Sequence, residues 1–266
     1  MKTIQPPKFE SVYGPVSSWR YGRSLGIDPI GTVSTCSFNC VYCQLGEIER
    51  QTRDRAIYVP TDLILQDLEA FAPWDVDVIT LSGSGEPTLA LNLGELLTRI
   101  ADRTDRPTLV LTNATLLTDP QVRAELARAD RVSIKLDAVS SKRMQGVDRP
   151  VGNLDFNTLW SGIEQFRAQY SGQLGIQTML LSPWDAETRA EYIRRMRSLG
   201  PDEIQLNTPT RPKPLTRQFD GRGNHTPPLR RPYPVQVFKQ VSPNILHAFA
   251  TEIQNATGIS VRCAPV

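Results

Sequence analysis

Cysteine is scarce in this chain: there are four in 266 residues, and three of them crowd into CSFNCVYC at positions 36 to 43. That usage excludes a secreted disulfide framework, and in a reducing compartment it points to metal or redox chemistry. Histidine is scarcer still, His225 and His247 only, and neither stands at ligand spacing from another donor. No apolar run approaches the roughly 18 to 20 residues of a membrane span. The opening MKTIQPPKFE lacks the apolar stretch of a signal peptide, so the expected location is cytoplasmic, with no membrane partner. A dominant charge is also missing: 30 basic against 28 acidic residues leave +2, so bulk charge does not announce a polyanionic partner. Apolar residues are not lacking. At 39% hydrophobic and 7% aromatic the chain can bury one substantial core and is not disordered.

What is present is alternation. Runs with strand character fall at 30–33, 76–81, 108–111, 132–136, 175–181 and 203–206. Between them, 61–71, 93–101, 120–129, 156–170 and 185–198 carry apolar residues at helical spacing. Thr61, Asp119 and Asp185 suit helix N-caps, and Pro120 suits a first helical position. A last helix at 243–257 and a short strand at 259–262 close the chain. Strands alternating with helices predict βα units on a parallel sheet. Six units are too few for a closed eight-stranded barrel, so the expected fold class is α/β, a partial (β/α)6 TIM-type barrel with N- and C-terminal extensions. One domain is expected over 1–266. It comprises an extension at 1–28, a barrel core at 29–208, and a Pro-rich basic segment with a helix and strand at 209–266.

Polar residues collect just past the expected strand ends: Cys36, then 82–86, then Thr112 and Asn113, then Asp137, then Asn207 and Thr208. Barrels of this kind place their site at the carboxyl ends of the strands, so these residues are expected to share one rim. The alternative is that polar residues merely mark strand ends.

Thiolates suit zinc or iron-sulfur clusters. A closed structural zinc site takes four protein ligands, commonly as two short-spaced pairs, and Cys263 lies far away with no partner beside it. Three cysteines on one loop can instead hold three irons of a [4Fe-4S] cube and leave the fourth without a protein thiolate. Coincidental buried thiols are the remaining alternative.

The spacing CxxxCxxC, with Tyr42 just before the last cysteine, resembles the signature of the radical S-adenosylmethionine (radical SAM) enzymes. The resemblance implies that Cys36, Cys40 and Cys43 ligate a [4Fe-4S] cluster while S-adenosylmethionine chelates the open iron. It further implies reductive cleavage to a 5′-deoxyadenosyl radical that abstracts hydrogen from a substrate, with the cofactors supplying the hard chemistry. LSGSGEPTL, at 81–89, is similar to the family's glycine-glycine-glutamate element, with Ser84 at the first glycine, then Gly85 and Glu86; this element is expected to contact the amino group of SAM. LTNATLL, at 111–117, resembles the family's TNG stretch with Ala114 at the glycine, so Asn113 is a candidate for the SAM ribose or carboxylate, or a turn-capping asparagine. In SIKLDA, at 133–138, Ser133, Lys135 and Asp137 share one strand face. Lys135 and Asp137 are the candidate catalytic pair, with a buried ion pair that orients the strand as the alternative; Gln177 faces the same ambiguity.

The stretches at 14–29, 35–46 and 203–212 resemble a subgroup related to the wyosine-type tRNA-modifying synthases. One departure matters: residues 1–35 contain no cysteine, so a second cluster cannot form, and formation of the tricyclic base is not implied. Nor is there a flavodoxin-like domain, so the electron is expected from a separate flavodoxin- or ferredoxin-type donor. RNA or tRNA remains a substrate class. Six cations between 211 and 231, Arg211, Lys213, Arg217, Arg222, Arg230 and Arg231, face the single acid Asp220. With Trp19, Arg20, Tyr21, Arg23 and Tyr233 they interleave arginine and aromatics as single-strand binders do. A Pro-rich lid over the barrel mouth is the competing reading, and a peptide or small metabolite is the competing substrate. A metal-dependent nucleic-acid-binding module without catalysis is the competing function.

Overall fold

The chain ahead of the cysteines folds into a hairpin. β1 (Val12–Ser18) and β2 (Gly22–Ile27) pair antiparallel around a turn at 19–21. The run at 30–33, expected as the opening strand, is not one. Asp28 Oδ1 accepts from the backbone N–H groups of Ile30 and Gly31 at 3.0 and 3.2 Å and bends the chain there. The opening parallel strand is β2, whose glycines disguise it. Gly26 is glycine because a Cβ would stand 2.3 Å from the Tyr13 ring. The computed structural model describes residues 9–222 and 232–265; residues 1–8, His225, Arg230 and Arg231 lie outside them.

Two-residue strands β3 (Thr35–Cys36) and β4 (Arg50–Gln51) bracket the cysteine loop. The alternation follows: α1 (Thr61–Glu69), β5 (Val78–Leu81), α2 (Leu93–Thr104), β6 (Thr108–Thr112), α3 (Pro120–Leu126) and β7 (Arg131–Lys135). Then come α4 (Ser141–Val147), α5 (Phe156–Gln169), β8 (Gln173–Met179), α6 (Ala186–Leu199) and β9 (Glu203–Asn207). A small ladder of β10 (Lys213–Pro214) with β11 (Val235–Gln236) precedes α7 (Pro243–Thr257) and β12 (Ser260–Cys263).

Eight strands form one sheet in the order β1-β2-β5-β6-β7-β8-β9-β12, parallel throughout except for β1. It is a curled partial barrel. Its two ends come within hydrogen-bonding reach: Gln205 of β9 donates to the Tyr21 hydroxyl at 3.0 Å, and Arg262 of β12 donates to the Arg20 carbonyl at 3.0 Å. No helix among the described residues is long and apolar enough to cross a membrane.

The strand period of two separates core from lumen. Val132, Ile134, Leu174, Ile176, Ile204 and Leu206 point outward and are buried. Helices cover them with apolar stripes such as Leu93, Leu96, Leu97 and Ile100 of α2. Each such side chain contributes about 1.5–3 kcal/mol of burial. Trp184, Tyr192 and Phe249 lock α6 to α7 with ring centroids 5.5 to 5.8 Å apart. The alternate residues face the lumen, where the parallel register sets Lys135, Gln177, Gln205 and Arg262 in one rung.

Asp119 and Asp185 cap α3 and α6, each accepting a backbone N–H at 2.8 Å. Thr61 does not cap α1: Pro60 holds that position, and the Thr61 hydroxyl donates to Glu95 at 2.9 Å.

Candidate active site

β3 lays its backbone against the chain leaving β5, so the cysteine loop starts at the carboxyl end of the barrel. Thr35 donates to the Ser84 carbonyl at 3.0 Å, and Glu86 N–H donates to the Thr35 carbonyl at 3.1 Å. Gly85 makes this approach feasible, because a Cβ there would stand 1.7 Å from the Thr35 carbonyl oxygen. Gly85→Ala is therefore expected to push the loop off its seat. Overpacking of this kind costs about 1–3 kcal/mol, to be read as a lowered denaturation midpoint and less iron retained per chain after reconstitution.

The loop's far side is pinned to the end of α4. Asn39 N–H donates to the Asp148 carbonyl at 3.0 Å, and Val41 N–H to the Val147 carbonyl at 2.9 Å. Two successive turns, Cys43 N–H to the Cys40 carbonyl and Gly46 N–H to the Cys43 carbonyl, both at 3.1 Å, then set the spacing of the later thiols.

All three thiols are half-buried. Burial pushes Cys36 up to about 12, with the Glu86 carboxylate adding to it. Burial likewise raises Cys40 and Cys43, while Lys135 opposes the rise at every one of the three and Lys213 and Arg217 oppose it at Cys43. Each would have to lose its proton to bind metal, and the surrounding cations favour that loss. Three soft donors ringed by positive charge fit an iron-sulfur cube. Among the described residues no three Cys, His, Asp or Glu side chains are gathered to grip a single metal ion; a cube asks instead for thiolates spread over separate irons.

Two polar networks flank the loop. On the Cys36 side, Asn113 Nδ2 donates to the Ser37 hydroxyl at 2.9 Å and points at Cys36 Sγ, 3.6 Å away. Glu86 is 3% exposed. Its carboxylate accepts from the Thr88 and Thr112 hydroxyls and from Asn113 N–H, all at 2.7 Å, so it is turned into the fold and holds the 112–113 corner. Ser84 is buried, with its hydroxyl accepting from Arg217 at 2.9 Å.

On the Cys40 side, the Tyr42 hydroxyl donates to Asp137, which also accepts Met179 N–H at 2.8 Å and the Lys135 ammonium at 2.6 Å. Lys135 bridges onward to Asp148, whose carboxylate stands 3.9 Å from Cys40 Sγ. Burial pushes Asp148 up to about 6 against the pull of Lys135. Burial alone would lower the Lys135 pKa, but Asp137 and Asp148 hold it well above the usual lysine value.

The structure thus brings Cys36, Ser84, Gly85, Glu86, Thr112 and Asn113 together, and sets Tyr42, Lys135 and Asp137 beside Cys40. It does not gather the whole rim: the Thr208 hydroxyl accepts Val241 N–H at 2.8 Å and serves the approach to α7. Sequence reading missed Asp148, which follows a short helix with no apolar stripe to betray it. It also missed Asp28, the buried partner of Arg222.

The basic segment folds back over the cysteine loop. Gln218 N–H donates to the Leu45 carbonyl at 2.9 Å, and Gly46 lies so close that a Cβ would meet the Thr216 carbonyl at 2.4 Å. Lys213 pairs with Glu47, Arg217 lies 3.5 Å from Glu49, Arg222 pairs with Asp28 at 3.0 Å, and Arg211 donates to Gln44 at 2.9 Å. These four cations are therefore engaged within the chain rather than ranged outward as a strand-binding face. Arg23, from the proposed N-terminal half of that face, pairs with Asp75. Inside, a lumenal cavity of about 340 Å³ is lined by Cys40, Tyr42, Cys43 and Lys135 together with Arg20 and Tyr21.

A model of the Radical SAM superfamily matches residues 30–196. The chain is 56% identical over 258 residues to a UPF0026 protein of Synechocystis sp., covering 97% of each. It is 34% identical over 206 residues to a UPF0026 protein of Methanocaldococcus jannaschii, covering 75% of this chain and 64% of that one. Among solved structures, SuiB of Streptococcus suis bound to S-adenosylmethionine superposes with a TM-score of 0.61 at 14% identity, over 88% of this chain and 49% of SuiB. That last likeness is one of fold, and the chain spans about half the length of SuiB.

Proposed function

The chain belongs to the Radical SAM superfamily, among the UPF0026 proteins, and we propose that this enzyme cleaves S-adenosylmethionine at a [4Fe-4S] cluster held by Cys36, Cys40 and Cys43 to take hydrogen from a substrate in the lumen. The observation that carries the reading is the placement of three half-buried thiols on a loop pinned at both ends, with two of them on the wall of the barrel cavity. When bound, the cluster and S-adenosylmethionine supply one-electron cleavage of the sulfonium and a 5′-deoxyadenosyl radical.

This chain's residues do the positioning. Gly85 lets the backbone close on the loop, Glu86 fixes Asn113, and Asn113 with Ser84 and Tyr42 would hold S-adenosylmethionine. Lys135 and Asp137 hold Tyr42 in place and present an ammonium to the lumen. The clasp formed by 211–222 covers the Leu45–Gly46 end of the loop. Reductive cleavage needs an electron from outside the site, and a flavodoxin- or ferredoxin-type donor would supply it.

The substrate divides into two readings. An RNA base would accord with the resemblance of the stretches at 14–29, 35–46 and 203–212 to the wyosine-type tRNA-modifying synthases, but the relatives reported above are UPF0026 proteins, and four of the cations behind the RNA reading, Arg211, Lys213, Arg217 and Arg222, are engaged within the chain. A cavity of about 340 Å³ is of small-molecule size and favours that substrate class. Binding of total tRNA that disappears when Arg211 and Arg217 are neutralised would restore the RNA reading.

The test of the chemistry is anaerobic reconstitution with iron and sulfide, followed by dithionite and S-adenosylmethionine. The expected result is 5′-deoxyadenosine. Its absence from protein carrying about four irons per chain would overturn the proposal.

A further inference from the structure

The wall of the lumenal cavity carries three cations, Arg20, Lys135 and Arg222, and no carboxylate. Two of them are answered from behind the wall: Lys135 by Asp137 and Asp148, and Arg222 by Asp28. Arg20 differs. It sits on the turn between β1 and β2 with its guanidinium over the Trp19 ring, 5.5 Å from the centroid. Its Nε is shut off from solvent and has no hydrogen-bond partner, and among the described residues its side chain forms no ion pair.

A buried cation without a counter-charge is costly. Burial pushes the Arg20 pKa down, and nearby Arg262 adds to that; Tyr21 and Glu203 oppose it. Yet Glu203 does not pair with Arg20. Its carboxylate is already taken by Arg262, at 2.6 Å, and by Gln205.

Neighbouring lumen positions show the same incompleteness. Gln205, which donates to Tyr21 beside Arg20, leaves its Oε1 unpartnered; Gln177 Nε2 on the same rung and Ser133 Oγ on the next are also buried without partners. Buried polar atoms in native proteins are nearly always satisfied. These three atoms lie behind the cavity wall, whereas the Arg20 guanidinium is on it, so Arg20 is the group a ligand in the cavity would meet.

We propose that Arg20 reads an anionic group on the substrate, a carboxylate or a phosphate, and so points the rest of that molecule at the cysteine loop across the same cavity. Guanidinium suits this task because its planar fork grips either anion through two parallel hydrogen bonds, and the Trp19 ring fixes the plane of the fork. The inference rests on the reading of the lumen as the substrate chamber, but its test requires neither an electron nor cleavage.

The full chain is titrated with inorganic phosphate and, separately, with acetate, and binding is followed by NMR line broadening of the anion. At least one of the two is expected to bind at a single saturable site, and which one does so separates phosphate from carboxylate recognition. Arg20→Gln should weaken that binding about tenfold or more, the scale of a lost charge-assisted hydrogen bond, while Arg20→Lys retains part of it. Saturating S-adenosylmethionine on cluster-loaded protein should leave the anion bound. No saturable binding by the unaltered chain overturns the proposal, as does equal binding by a folded Arg20→Gln. Displacement of the anion by S-adenosylmethionine overturns it too, because Arg20 would then serve the cofactor. If Arg20→Gln fails to fold, the unaltered chain and Arg20→Lys decide. Failure here leaves cleavage at the cysteine loop standing, and failure of cleavage leaves this anion site measurable.

Discussion

Replacing Cys40 by alanine is expected to abolish both iron-sulfur loading and formation of 5′-deoxyadenosine. Cys40 is the middle thiol of the three, and its removal leaves two donors where a cube needs three corners held. Removing a partner that merely orients a metal ligand costs about 10- to 100-fold in affinity or activity; loss of a ligand itself should take both readouts to background. The fold should survive, since Cys40 is only half-buried and the loop is anchored through backbone groups of Asn39, Val41 and Cys43. Iron and sulfide analysis, product chromatography and a melting curve on the same preparation settle the matter. A Cys40→Ala protein that loads a full cluster and makes product would remove the premise that these thiols hold it.

The second large effect is expected at Lys135. Its side chain is 22% exposed, and its ammonium sits between the carboxylates of Asp137 and Asp148, whose side chains are 1% and 4% exposed. It also lies 5.3 and 5.5 Å over the Phe38 and Tyr42 rings. Lys135→Met strands two buried carboxylates, and breaking such an arrangement from one side costs about 3–5 kcal/mol. Denaturant midpoints should fall accordingly. Neutralising all three, with Lys135→Met, Asp137→Asn and Asp148→Asn together, should recover most of the stability, because no buried charge is then left unanswered. Product formation should not recover. Recovery of both would reduce the network to a structural strut and strip Lys135 and Asp137 of any part in the chemistry.

The helices α2, α3, α5, α6 and α7 were legible because amphipathic spacing and caps such as Asp119 and Asp185 are local properties. The strands β5 to β9 were legible as apolar runs of the right length, within a residue or two at their ends. The hairpin of β1 and β2 was not, because its glycines answer to contacts that exist only once the hairpin has paired, as Gly26 does to Tyr13, and read locally as turns. The cysteine loop declared itself through spacing alone. Its partners did so unevenly. Glu86, Asn113 and Asp137 follow strands and Lys135 ends one, where the rim rule applies. Asp148 and Asp28 are joined to the site only by tertiary packing, so nothing in their neighbourhoods marks them. The basic segment misled in the opposite direction, since composition records its charge but not the carboxylates of Asp28, Glu47 and Glu49 that it folds back to meet.

The clasp over the cysteine loop joins residues far apart in the chain; Arg211 and Gln44, for one, are separated by 167 positions. During synthesis the three thiols therefore emerge and stay uncovered long before their cover exists. If the loop takes up a cluster, iron delivered in that interval would meet the loop before Gln218 N–H has closed on the Leu45 carbonyl.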